Sequence, residues 1–156
     1  MVDDEMNKNF RDWVRFYRIS QRFTTLNVAK AAGRNHDWLL RWERAENPAL
    51  LEPKEYLLLR DFLAPGVSLR EMTKPCPVKF PQLTGEVRRK AIPILEEERI
   101  KQGITDKDLA VRVGLTEKMW AMYTYLHPKT PSLSTIYLAC KALNVDFNKL
   151  LKKIQD

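Results

Sequence analysis

Histidine, cysteine and glycine are scarce in this chain of 156 residues, which holds two, two and five of them. Cys76 and Cys140 cannot make a disulfide framework, and no Cys/His cluster has metal-ligand spacing. The glycines form no phosphate-cradling loop. His36 and His127 have no nucleophile at motif spacing, and Glu96-Glu97-Glu98 reads as the solvated face of a helix rather than a catalytic carboxylate pair. No positioned catalytic constellation is left, so neither an enzyme nor a metal or cofactor is expected. Nowhere do 18 apolar residues run together, which excludes a helical membrane span. The start, MVDDEMNKNF, is polar and acidic, unlike a signal peptide. These absences lead us to expect a reduced, cytoplasmic chain, and an apolar fraction of 44% suits a globular one.

The charge that is present is basic, +7 net, and unevenly spread. Residues 1–63 carry 11 basic and 10 acidic side chains, residues 64–90 carry 6 and 2, and residues 91–156 carry 10 and 8. The excess sits in the middle. It suits a polyanionic partner such as nucleic acid, and equally an ordinary solvated surface.

Residues 105–124 have the pattern of two short helices around a tight turn. Thr105 can N-cap the first, with Asp108 as a capping-box partner. Leu109, Ala110 and Val113 share one face. Gly114 suits a turn that needs positive φ, Leu115 plugs it, and Thr116 can cap the second helix. Trp120 and Tyr123 then form an inward stripe, and the small side chain of Ala110 lets the helices cross closely.

In these residues the second half resembles the lambda-repressor-like (Cro/repressor type) helix-turn-helix family. Arg99, Gly103, Thr105, Leu109, Ala110, Gly114 and Leu115 match its first three helices. Pro131-Ser132-Leu133, Leu138-Ala139, Ala142-Leu143, Val145 and Leu150 match its closing ones. A shift of 81 residues lays the first half on the second: Arg18 on Arg99, Thr24 on Thr105, Val28 on Leu109, Ala29 on Ala110, Gly33 on Gly114, Leu39 on Trp120 and Trp42 on Tyr123. After a one-residue slip, Phe62-Leu63 falls on Ala142-Leu143. Residues 7–23 read as the first helix, with Phe10, Trp13, Val14 and Tyr17 turned inward.

The resemblance implies an all-α chain of two tandem lambda-repressor-like helix-turn-helix bundles of four to five helices each. We expect the first domain at 1–66, a Pro-rich basic linker at 67–85 and the second domain at 86–156. The linker reading rests on Pro65, Pro75, Pro77 and Pro81, with helix resuming near Glu86. Pro93 marks a first turn or a kink. Family members commonly pair the first-helix Arg with a Glu late in the recognition helix. Arg18 and Glu43 supply both partners, so a partly buried ion pair is expected, bidentate if geometry allows. In the second copy Thr124 stands at the Glu position. Arg99 then either turns outward or is served by another acid.

In such domains the start of the second helix of the motif faces base edges. That implies Arg34, Asn35, His36 and Arg41 as DNA-binding residues in the first copy. In the second it implies Thr105, Thr116, Glu117, Lys118 and Ala121, and Arg88 and Arg89 can touch phosphates. Asn35 suits adenine, Arg34 and Arg41 suit guanine or phosphate, and Lys118 can reach guanine. Glu117 accepts only from cytosine, and Asp106 stands where phosphate contact is common in the family. Trp38, Leu40, Met119 and Met122 add apolar groups beside these faces, which can meet thymine methyls or a protein. The function implied is sequence-specific binding of double-stranded DNA by a repressor-like regulator of bacterial, phage or mobile-element origin. Its partners are DNA and either a second copy of the chain or a regulatory protein, with no membrane. The alternative is a protein-binding adaptor, antitoxin-like or antirepressor-like, that uses the same fold as an interface.

Overall fold

The computed structural model describes residues 2–125 and 129–156, and all regular structure among them is helical. The chain divides into two compact units, Met1–Phe80 and Pro81–Asp156. No helix among the described residues is long and apolar enough to cross a membrane.

The first unit starts with α1 (Asp4–Ser20). Asp3 caps it by accepting Met6 N–H at 2.8 Å, so the helix begins three residues before the position expected from its apolar stripe. It ends early too, because Arg22 takes a left-handed φ of 61°. Phe10 and Val14 are fully buried, whereas Trp13 and Tyr17 lie half-buried at the edge. Next come α2 (Thr25–Ala31) and α3 (His36–Arg44), capped by Thr24 and Asn35. They are joined through Gly33 at φ 72°. Then α4 (Pro53–Leu63) opens on a capping box, Glu52 with Glu55, and the single-turn α5 (Leu69–Met72) follows. Phe10, Val14, Val28, Ala29, Leu39, Leu59 and Met72 make the dry centre.

A polar network under this core fixes the loop between α3 and α4. The fully buried Asn7 amide donates to the Pro48 carbonyl at 2.9 Å and to Ala49 at 3.1 Å. Its oxygen accepts Tyr56 O–H at 2.8 Å, and the Tyr56 oxygen accepts Leu51 N–H at 3.1 Å. Trp42 Nε1 donates to Ala49 at 3.0 Å. The network holds residues 48–51 to α1, α3 and α4.

Residues 67–80, part of the stretch expected to be linker, pack on this unit instead. Met72, Cys76 and Phe80 are buried. Three side chains of α1 hold the strap by its carbonyls: Asn9 to Thr73 at 2.9 Å, Trp13 to Lys74 at 2.8 Å and Arg15 to Phe80 at 2.6 Å. The prolines do keep the strap extended, but apolar residues at four-residue steps give it something to bury.

The second unit follows the same plan. Thr84 caps α6 (Gly85–Arg89), which passes through Lys90 into α7 (Ala91–Lys101). Together they span the register of α1, displaced by 81 residues. Pro93 supplies no N–H to the Arg89 carbonyl one turn back, and the helix breaks there. Then come α8 (Asp106–Val113), α9 (Glu117–Thr124), α10 (Leu133–Leu143) and α11 (Phe147–Gln155). The left-handed positions also repeat: Gly103 (φ 69°) matches Arg22, and Gly114 (φ 87°) matches Gly33. So do two hydrogen bonds. Gln21 Nε2 donates to the Leu63 carbonyl at 2.6 Å, and Gln102 Nε2 to the Leu143 carbonyl at 2.7 Å. Leu95, Leu109, Ala110, Trp120, Ile136 and Leu143 form the second core.

Candidate nucleic-acid interface

The expected ion pair of the first unit is present. Arg18 Nε donates to both oxygens of Glu43, at 3.0 and 3.1 Å, and Glu43 is 3% exposed. One N–H shared between two acceptors replaces the parallel two-bond fork. Arg11 ties the same helix end to α1, donating to the carbonyls of Glu43 and Ala45. The pair therefore locks the C-terminal end of α3 against α1 and leaves its N-terminal half facing outward.

At that outward end Arg34, Asn35 and His36 are all exposed. Arg34 does not hang free. Its Nε and Nη2 reach Glu55 Oε2 and Oε1 at 2.5 and 3.1 Å. Its guanidinium lies 4.8 Å from the Trp38 ring centroid, and Trp38 stacks on Trp42 at 5.7 Å with 12° between the planes. Hydrogen bonding from Arg34 holds the Glu55 carboxyl below the usual glutamate range, against the opposing effect of burial. Two of the arginine's nitrogens are thus held by Glu55, while the side chain stays 41% exposed. Asn35 Oδ1 accepts Trp38 N–H at 2.8 Å, so a two-bond contact with adenine would share an oxygen that already caps α3. Arg41 and Arg44 are exposed further along the helix, on the same side as Asp37 by helical period.

The second unit presents a different surface. Thr105 and Thr116 are helix caps, accepting Asp108 N–H and Met119 N–H, both at 3.1 Å. Glu117 and Lys118 are exposed at the start of α9, and Ala121 is half-buried. Met119 and Met122 are exposed beside them, as is Val111 on α8. Asp106 is an internal partner, 3.1 Å from Arg99 Nη2. Arg99 also donates to Glu96 through Nε at 3.0 Å and Nη2 at 2.8 Å, and to the Ile104 carbonyl at 2.7 Å. Trp120 Nε1 donates to the same Glu96 at 2.8 Å. Glu96 is therefore the acid that serves Arg99. Burial pushes its pKa up, but the bonds from Arg99 and Trp120 outweigh that and lower it. The reading of residues 96–98 as a solvated run fails at Glu96.

Arg89 is exposed and donates to Thr130 Oγ1 at 2.9 Å. Arg88 is half-buried, and its Nε is enclosed with no hydrogen-bond partner. Of the two, only Arg89 is exposed. His127 lies outside the described residues. Burial raises the pKa of both thiols, that of Cys140 to about 12, which keeps it protonated and un-nucleophilic. No group of three His, Cys, Asp or Glu among the described residues could hold a metal ion.

Sequence reasoning missed Glu55 and Glu96. The Glu96–Arg99 spacing, three residues apart on one helix, was a readable signal. Nothing in the sequence joins Glu55 to Arg34 across 21 residues. No family model, curated protein or solved structure matches this chain.

Proposed function

We propose that the chain is a sequence-specific double-stranded DNA-binding regulator, repressor-like and of bacterial, phage or mobile-element origin. In this reading it carries two tandem lambda-repressor-like helix-turn-helix domains. The observation that carries it is the start of α3, where exposed Arg34, Asn35 and His36 precede Arg41 and Arg44 on a helix anchored at its far end. A groove-reading helix needs such a combination: a fixed axis, an exposed N-terminal half and cationic donors held in place. Arg34, with Glu55 and Trp38 behind it, suits guanine O6 and N7 or a phosphate. Occupancy of an operator would then block or recruit polymerase.

The exposed Met119, Met122 and Val111 favour a second reading for the second unit, an adaptor surface that grips a regulatory protein. The two readings part on alanine substitution. For a DNA reader, Arg34→Ala and Arg41→Ala each weaken binding to the preferred duplex by about 1–3 kcal/mol, measured by fluorescence anisotropy. Lys118→Ala reports whether α9 takes part. Unchanged affinity in all three variants contradicts the DNA reading.

A further inference from the structure

The outward face of α4 carries a feature that the DNA reading leaves unused. Lys54, Leu57, Leu58, Asp61 and Phe62 are all exposed, at helical steps of three and four, while Glu55, Tyr56, Leu59 and Leu63 point inward. Leu57, Leu58 and Phe62 are 44%, 43% and 36% exposed, large values for apolar side chains on one stripe. On α2, Leu26 is 47% exposed, and Phe62 packs on Phe23 at 4.7 Å between ring centroids. The apolar surface continues past Leu57 into a groove of about 400 Å³ lined by Leu50, Pro53, Tyr56 and Leu69.

We infer that this stripe is the twofold interface of a homodimer, in which α4 packs antiparallel against α4 of a second copy with its axis between Leu57 and Leu58. The occupant follows from the order of charges. Lys54 and Asp61 lie at equal distances on either side of that midpoint and near the middle of the face. Turning a second helix by a twofold about this point brings Lys54 opposite the partner copy's Asp61, and Asp61 opposite the partner copy's Lys54. Leu57 meets the partner copy's Leu57 along one side. Leu58 meets its own equivalent along the other, with Phe62 flanking. A surface complementary to itself in both charge and apolar pattern is what an isologous contact requires. In the single chain Lys54 lies 3.6 Å from Glu52 and Asp61 lies 2.7 Å from Arg60. All four are at the solvent boundary, so exchanging these weak contacts for intermolecular ones meets little resistance.

The inference does not depend on DNA binding, and its test needs no DNA. Sedimentation of the full chain over a concentration series reads the dissociation constant directly. A reversible monomer–dimer equilibrium is expected. Leu58→Glu should raise its dissociation constant by about tenfold or more, with circular dichroism confirming that the helices remain. Lys54→Asp and Asp61→Lys should each weaken the dimer on the order of tenfold, since like charges then face each other twice. The double variant Lys54→Asp/Asp61→Lys should return to within roughly threefold of the original. These surface reversals keep the test open even if Leu58→Glu disturbs folding. A chain that stays monomeric up to about 1 mM overturns the inference. So does a dimer indifferent to Leu58→Glu, or one in which the double reversal fails to restore what each single reversal removes.

Discussion

Arg18 and Arg99 hold the same place in the two units, and each is neutralised from a different direction. In the first unit the acid is Glu43, brought from the end of α3 and almost fully buried. In the second it is Glu96, one turn back on the same helix, with Asp106 adding a second carboxylate. The 81-residue register places Arg15 of the first unit where Glu96 stands in the second. One repeat thus keeps its arginine and moves the acid. The difference shows what the fold demands: a compensated guanidinium between the first helix and the helices that follow it, by whatever route the sequence supplies. It also separates the outer faces. The end of α3 is tied down by a salt bridge, with Arg41 and Arg44 exposed in its last turns and Arg34, paired with Glu55, just before its start. The end of α9 has Thr124 in place of the acid, and its exposed side carries two methionines.

Removing the two arginines breaks the comparison most strongly. Arg18→Ala leaves Glu43 buried without its guanidinium, with an expected loss of about 3–5 kcal/mol in the first unit. Arg99→Ala leaves Glu96 and Asp106 partly exposed, with Trp120 still bonded to Glu96, and roughly 1–3 kcal/mol is expected in the second. Hydrogen exchange of the full chain, read separately for the cores around Leu39 and Leu109, measures both. Equal losses would erase the distinction between buried and half-exposed acids.

The ion pair in the first unit was legible because family resemblance placed both partners at known positions. Its substitute in the second was readable only as the three-residue step from Glu96 to Arg99, because Glu96 sits in a run of three glutamates that is uniform in sequence and unequal in burial. The α2–α3 and α8–α9 turns were legible from Gly33, Gly114 and their capping residues, which act locally. The strap at 67–80 was not: prolines announce extended backbone, but only tertiary contact decides whether an extended segment docks. The consecutive Leu57, Leu58 and Leu59 likewise hide which one points inward until the helix register is fixed.

A next effect is acid sensitivity in the second unit. The Glu96 pKa lies below the ordinary 4.5 when folded. The pair therefore contributes its full stability above that value and loses it as pH falls through the folded pKa. Glu96→Gln should lower stability at neutral pH by about 1–2 kcal/mol and flatten the acid limb, followed by the exchange protection of Leu109 and Ala110. An unchanged acid limb would mean that Glu96 is not the group titrating.

The smallest effect concerns the backbone. Gly103 has a φ of 69° and no neighbour within 4 Å of an added Cβ, so Gly103→Ala tests conformation alone. A loss of about 1 kcal/mol in thermal unfolding is expected. Arg22, at the matching place, already bears that strain with a φ of 61°. A neutral Gly103→Ala would mean the two turns differ.

DNA reading is tested most directly by selection of the full chain against random duplex DNA, with the enriched site titrated at two salt concentrations. A sequence-reading chain yields a defined motif whose affinity falls steeply with salt, as release of counterions from several phosphates requires. That motif should be lost on Arg34→Ala/Arg41→Ala. No enrichment, or weak binding that ignores sequence, would contradict the DNA reading.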